Sequence, residues 1–243
     1  MKWLFEINVF LLVFVSKLSG EKIIQLLATE AFSFAINNDS FPETRDSKNR
    51  FDFIPAIEGM PDIPRWMNYR NPNNSFAFLY GTPPKPDNLT IEIVALNTRT
   101  YDYTRDKIIL NIIDKENPAR YELQLKLRNL NVEDMFNLEK EEDLLSIFKE
   151  HLWTDNTDVY LTQIASPGDI GASYPLNPRD KEGAFVSVGS ATTYSRDLID
   201  LWREVEPIKN RSPCPSRYKF TRVEHLFRKK NFIVDWCSFK MLR

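Results

Sequence analysis

Between residues 121 and 128 apolar and polar side chains change places at every step. Tyr121, Leu123, Leu125 and Leu127 interleave with Glu122, Gln124, Lys126 and Arg128. A strand puts alternate residues on opposite faces, so this run predicts a sheet strand with one side buried and one side wet. The period then changes. Asn131 is placed to cap a helix, and Leu138, Leu145, Phe148 and Leu152 fall on one helical stripe, with Glu139, Lys140, Glu142 and Lys149 largely elsewhere. Val159 to Ala165 predicts a strand, Pro167-Gly168 opens a long loop, and Ala184 to Val188 predicts another strand, ended by Gly189. Leu198, Ile199, Leu201, Trp202 and Val205 recur at helical spacing until Pro207 stops them. Phe232, Val234 and Trp236 predict a last strand, and the stretches Pro167 to Glu182 and Pro207 to Asn231 are expected to be irregular. The order is βαββαβ, a ferredoxin-like α+β domain over residues 118–243. The name describes topology and implies no iron–sulfur cluster.

Upstream the chain reads as all-β. Phe32, Phe34 and Ile36 alternate with Ser33, Ala35 and Asn37; further strands are expected at Phe51 to Ile57, Trp66 to Tyr69 and Phe76 to Tyr80. The last of these ends at Gly81-Thr82-Pro83-Pro84, which no strand passes through. Leu89, Ile91, Ile93 and Ala95 alternate with Thr90, Glu92, Val94 and Leu96, and Ile108 to Ile113 is apolar on both faces, as in a central strand. No helical periodicity occurs from Glu30 to Asp114. This spacing predicts a β-sandwich of immunoglobulin-like or cadherin-like type over residues 21–117, meeting the second domain near Asn117-Pro118. Asp102 and Asp106 are the nearest approach to calcium ligands, but they lack the dense oxygen cluster one ion needs, and no metal site or cofactor is expected.

Lys2, the apolar run Trp3 to Val15 broken by Glu6 and Asn8, and the small residues Ser16, Ser19 and Gly20 predict an export signal over residues 1–20. An N-terminal membrane anchor is the alternative, although a span needs about 20 apolar residues. Asn38, Asn73, Asn88 and Asn210 each begin an Asn-x-Ser/Thr triplet, the N-glycosylation pattern of exported domains. Cys214 and Cys237 are the 2 cysteines of the chain, and an oxidising compartment favours a single bridge between them. Two free thiols, or bonds to partner chains, are the alternatives. A bridge would fasten the Pro207 to Asn231 excursion to the last strand. There Phe232, Val234 and Trp236 should face the core and Ile233, Asp235 and Cys237 the opposite side.

A net charge of −2 gives no reason to expect nucleic acid, whose binding relies on clustered basic residues; Arg228-Lys229-Lys230 reads as a solvated loop. A catalytic reading must find its acid, base and nucleophile. His151 and His225 are the 2 histidines, and neither sits in a nucleophile, phosphate-cradling or His-Glu-x-x-His motif. His151 lies beside the helical stripe, where a structural role is expected. Carboxylates are plentiful, but their spacing does not pair them for sugar hydrolysis. A soluble carbohydrate- or protein-binding module would need exposed aromatics, for which Tyr101, Tyr103 and Trp153 are candidates, packing being the commoner fate of such residues.

Pro61-Asp62-Ile63-Pro64-Arg65-Trp66-Met67, followed by Phe78-Leu79-Tyr80-Gly81-Thr82-Pro83, resembles the cadherin-like module of sarcoglycans and dystroglycan. Lys181-Glu182-Gly183, Val188-Gly189-Ser190-Ala191 and Val234-Asp235-Trp236-Cys237 resemble the alpha and epsilon sarcoglycans in particular, so the likeness runs from about Ile54 to Cys237. It implies a glycosylated, non-enzymatic extracellular part, without resolving alpha from epsilon. It also implies partners: the beta, gamma and delta sarcoglycans, dystroglycan and dystrophin, in a muscle plasma-membrane complex that ties matrix to actin cytoskeleton. Such proteins are single-pass. After Cys237 the sequence given runs Ser238-Phe239-Lys240-Met241-Leu242-Arg243 and holds no apolar span, the expectation being either a shortened record or a soluble secreted form.

Overall fold

Strand alternation builds two sheets in the first half of the chain. The computed structural model describes residues 16–18, 21–37, 51–73, 76–154, 158–175, 177, 179–209, 211, 214 and 221–242. The strands are β1 (Ser16–Leu18), β2 (Glu21–Leu27), β3 (Phe32–Asn37), β4 (Phe51–Ile57), β5 (Met67–Asn73), β6 (Phe76–Gly81), β7 (Asp87–Asn97) and β8 (Tyr103–Ile113). One sheet has the order β1-β2-β8-β7-β4 and the other β3-β6-β5. Ile24, Phe53, Ile91 and Ile108 from the first sheet share one buried cluster with Phe32, Ile36, Ala77 and Leu79 from the second. Pro55 and Pro72 lie in β4 and β5, each at a sheet edge, where a missing N–H breaks no ladder.

Three features of this half differ from expectation. β2 was not expected as a strand; it pairs in parallel with β8, from Lys22 opposite Ile108 to Leu27 opposite Ile113. β8 is central but not apolar on both faces in effect: Ile108, Leu110 and Ile112 are buried, while Ile113 is exposed. Gly81 closes β6 for a reason other than a turn. Its φ is +154°, and a Cβ there would fall 2.1 Å from the Trp66 carbonyl oxygen, so only glycine lets the two backbones approach. Trp66 itself is half-buried and meets Phe32 edge-on at 6.0 Å, at the rim of the cluster.

In the second half β9 (Tyr121–Leu127), β10 (Tyr160–Ala165), β11 (Ala184–Ser190) and β12 (Lys240–Leu242) form an antiparallel sheet of order β10-β11-β9-β12. Leu123, Leu125 and Leu127 of β9 face a second cluster with α1 (Leu138–Ile147), α2 (Arg196–Val205) and α3 (Glu224–Lys229). β11 is buried along its whole length, which suits a central strand. It continues through Gly189 to Ser190, because the bare Gly189 backbone lets Thr162 and Ala119 close over it.

The helical stripe is shifted from the expected one. Leu138 is exposed at the first turn and Leu145 only half-buried, while Leu144, Ile147, Phe148 and Leu152 carry the packing. Asn131 caps a preceding 3-10 turn, Val132–Phe136, whose Asp134 carboxylate accepts from the Asn131 N–H at 2.7 Å; α1 has its own cap in Asn137. The stretch 207–231, expected to be irregular, contains α3. Phe232, Val234 and Trp236 are all buried, yet they form no strand. Val234 makes one isolated bridge to Leu127, Trp236–Ser238 is a 3-10 turn, and the last strand is β12. Cys237 is therefore buried beside Trp236 and not turned to the opposite face.

Candidate functional site: the junction and the disulfide clamp

Several long-range polar contacts join the two halves. Arg70 of β5 reaches across to two carboxylates: its Nε donates to Glu133 at 2.7 Å, and its Nη2 donates to Glu182. Both ion pairs are partly shielded, and they border a cleft of about 650 Å³ that also includes Phe76 and Phe78. Tyr80 donates its hydroxyl to Asp169 at 2.7 Å, and the same carboxylate oxygen accepts from the Ser166 N–H at 2.7 Å. Burial, reinforced by Asp169, pushes the Tyr80 hydroxyl well above a tyrosine's ordinary range, so it stays a donor. Phe78 and Tyr80 close on Phe136 with ring centroids 4.9 and 4.8 Å away.

Backbone atoms extend the seam. The Ala31 N–H donates to the Leu161 carbonyl at 2.9 Å, and the Thr82 hydroxyl donates to the Thr162 carbonyl at 2.7 Å. Ala119, just past the Asn117-Pro118 link, donates its N–H to the Tyr160 hydroxyl at 2.7 Å. Lys115 pairs with Glu30 at 2.8 Å and lies 4.0 Å from the Tyr160 ring centroid, so charge and ring hold it together. Ala31 and Tyr80, from the first half, are counted among the buried residues of the second cluster. Glu141 of α1 stands nearby. Burial first, and then the charges of Glu30 and Glu142, push its carboxyl up to about 7.

Within the second half the C-terminal segment is clamped. Cys214 and Cys237 form a disulfide with Cα atoms 5.8 Å apart. Asp235 accepts from the Cys237 N–H at 3.1 Å and from the Ser238 hydroxyl at 3.1 Å. Glu224 is 4% exposed, and its buried carboxylate accepts from the Trp236 indole N–H and, at 2.7 Å, from Arg228. Trp236 packs edge-on against Phe227 at 5.4 Å. Asp235 and the two sulfurs come close enough to suggest a metal group, but both sulfurs are already consumed by the S–S bond.

The other sequence candidates are scattered. His151 and His225 are both exposed; His151 Nε2 lies 3.9 Å from Glu150, and His225 Nδ1 lies 2.8 Å from the Arg222 carbonyl. The structural role expected of His151 is thus not seen. Trp153 is 1% exposed, with its indole N–H donating to Thr193 O at 3.0 Å, so it offers no binding face. Tyr101 and Tyr103 do escape packing, at 76% and 61% exposure, beside the turn between β7 and β8. Asp106 is paired with Lys22 at 3.3 Å. Asn88 is exposed on β7, where an attached sugar has room. Asn38 and Asn210 lie outside the described residues, as does most of the expected signal, and the side chain of Asn73 is likewise not described. The Arg70, Tyr80 and Glu224 networks were missed from the sequence; the partners of Arg70 and Tyr80 lie 63 to 112 residues away, at a spacing no local pattern reveals, whereas Glu224 and Arg228 stand at i,i+4 on a helix that was not expected.

Residues 24–114 match the sarcoglycan alpha/epsilon N-terminal domain, and residues 118–243 match the sarcoglycan alpha/epsilon second domain. The chain belongs to the alpha/epsilon sarcoglycan family. It is 32% identical to epsilon-sarcoglycan of Rattus norvegicus and of Homo sapiens over 206 residues, which is 81% of this chain and 45% of each relative. Alpha-sarcoglycan of Homo sapiens is 31% identical over 191 residues, covering 75% of this chain and 47% of the relative. The chain thus spans about half the length of the curated sarcoglycans it matches. No helix among the described residues is long and apolar enough to cross a membrane.

Proposed function

We propose that this chain is the non-enzymatic extracellular part of an alpha/epsilon-type sarcoglycan. Its work would be structural: a rigid component of the sarcoglycan subcomplex, assembling with beta, gamma and delta sarcoglycans beside dystroglycan and dystrophin at the muscle plasma membrane. The observation that carries this reading is the match to both family domains in order along one chain. In this reading residues 1–20 are a removed signal, so that β1 leaves with it and β2 becomes the edge of its sheet; Asn38, Asn73, Asn88 and Asn210 carry glycans, and a membrane anchor belongs to the whole protein. Residues 21–117 form a cadherin-like β-sandwich, a proposal supported by two sheets enclosing one cluster. Residues 118–243 form a ferredoxin-like domain, supported by the sheet order β10-β11-β9-β12, which in strand order of that half reads 2-3-1-4. The disulfide and the junction suit a surface that is preformed and does not rearrange to bind.

Co-expression with tagged beta, gamma and delta sarcoglycans tests the reading. The chain should be recovered with all three from detergent extracts, and His151→Ala with His225→Ala should leave recovery unchanged. Failure to co-assemble, or a small-substrate activity abolished by that double change, would overturn it. A second reading, a soluble binding module, rests on the exposed pair Tyr101 and Tyr103. It predicts glycan binding lost in Tyr101→Ala with Tyr103→Ala, with release into the medium.

A further inference from the structure

A cleft of about 560 Å³ in the second half holds more positive charge than it neutralises. Three elements build it. β9 and the residue after it supply Lys126 and Arg128, the loop before β11 supplies Arg179 and Lys181, and α3 supplies Arg228. Lys181 is engaged by Asp134 at 3.1 Å and Arg228 by Glu224 at 2.7 Å. Among the described residues the side chains of Arg128 and Arg179 have no hydrogen-bond or ion-pair partner, and both are exposed. Lys126 meets the Phe185 ring at 5.2 Å. The lining carboxylates are Asp180, which is exposed, and Glu182, which is held by Arg70. Cations therefore outnumber carboxylates here, in a chain whose net charge is −2.

The β9 wall of the cleft is built on hydrogen-bonded backbone. Gly183 has φ +91°, and a Cβ on it would fall 2.5 Å from Lys126 Cε, so the lysine lies across a bare glycine and is steered along the cleft. Beneath it, the Arg128 N–H donates to the Ile233 carbonyl and the Asp235 N–H to the Lys126 carbonyl, each at 2.8 Å. Asn129 ties the same strip twice, accepting from the Ile233 N–H at 2.9 Å and donating to the Asn231 carbonyl at 2.8 Å. The backbone that carries Lys126 and Arg128 is thus already ordered, so binding an anion orders side chains and not the chain beneath them.

We infer that this cleft takes an acidic polypeptide segment of a partner protein; the inference rests on the reading of the chain as a rigid binding component. Two features select a peptide over a sulfated polysaccharide. Asp180 lines the same space, with Oδ1 accepting from the Asn177 amide at 3.3 Å; its charge repels a ligand charged along its whole length, and its second oxygen can accept an N–H from a peptide that alternates acidic and neutral residues. Pro175 and Ile233 line the same space and give apolar side chains of such a segment something to cover.

Fluorescence anisotropy on the purified chain tests this with a short labelled peptide alternating Glu with Gly and Leu, its Gln counterpart, and a heparin oligosaccharide. The Glu peptide should saturate, the Gln peptide should not, and affinity should fall as salt rises. Arg128→Gln with Arg179→Gln should weaken the Glu peptide about tenfold without moving the thermal midpoint, since both side chains are exposed. Asp180→Asn should tighten it several-fold, a gain that no folding defect mimics. Equal binding of both peptides, no response to either variant, or capture of heparin with the Glu peptide ignored would each overturn the inference. Loss of peptide binding with intact sarcoglycan assembly would remove this inference alone. Peptide binding without assembly would remove the functional reading alone.

Discussion

The two halves solve the same burial problem with different materials. The first encloses its cluster between sheets and fills it mainly with Ile, Leu and Ala, with few aromatics. The second fills one side of a single sheet with leucine and valine, sets the large rings of Trp153, Trp236, Phe148, Phe227, Phe232 and Phe239 among them, and holds its last turn with a disulfide and a buried carboxylate. Two facing sheets pair nearly all their polar backbone through ladders. A sheet covered by short helices and loops has less regular pairing there, and large side chains and a covalent bond supply the restraint. Stability in the first half is therefore spread over many small contacts, and in the second it is concentrated in a few.

Trp236→Ala should break the comparison hardest. It removes a fully packed indole and leaves the buried Glu224 carboxylate with Arg228 as its remaining donor, for a loss of about 3–5 kcal/mol in denaturant unfolding. An equal loss from Ile93→Val in the first half would contradict the concentrated-versus-spread picture, because that exchange should cost only about 1 kcal/mol. Cys237→Ser comes next, at about 2–4 kcal/mol, with reduced export of the variant; two titratable thiols in the folded parent would contradict the bridge. Arg70→Ala should cost less, about 1–2 kcal/mol, but change the shape of the unfolding curve. With Glu133 and Glu182 left facing each other, calorimetry should show the halves melting as two transitions where the parent melts as one.

The smallest effect depends on pH. The Glu141 carboxyl, raised to about 7 in the fold, keeps its proton where an unfolded chain has lost it above its ordinary value of 4.5. The folded state then binds more protons, so stability falls as pH rises from about 4.5 to about 7 and is level beyond. Glu141→Gln should remove that slope and gain about 1 kcal/mol at pH 8, with no gain at pH 4. A gain at both values would place the effect in packing and not in charge.

Legibility followed the range of the interaction. Strands such as β7 and β9 were plain, because alternation is written into neighbouring residues. β2 was not, since Lys22 and Gln25 blur its alternation and its partner β8 is encoded far downstream. α3 is too short to declare a helical period, and a two-residue repeat at Phe232, Val234 and Trp236 proved compatible with a bridge followed by a 3-10 turn. The disulfide could be anticipated because two cysteines leave few choices. Arg70 could not: nothing near it says that Glu133 and Glu182 will arrive together.

The parallel pairing of β2 with β8 has a consequence in time. A chain made from its amino end presents β2 early, but the strand it lies against is completed only once Ile113 has emerged. Until then the sheet order β2-β8-β7 has a gap in the middle, and Ile24 and Leu26 lack the neighbouring strand that holds them in the sheet. A nascent chain paused short of β8 should therefore stay protease-sensitive throughout its first half, however many hairpins it has already made.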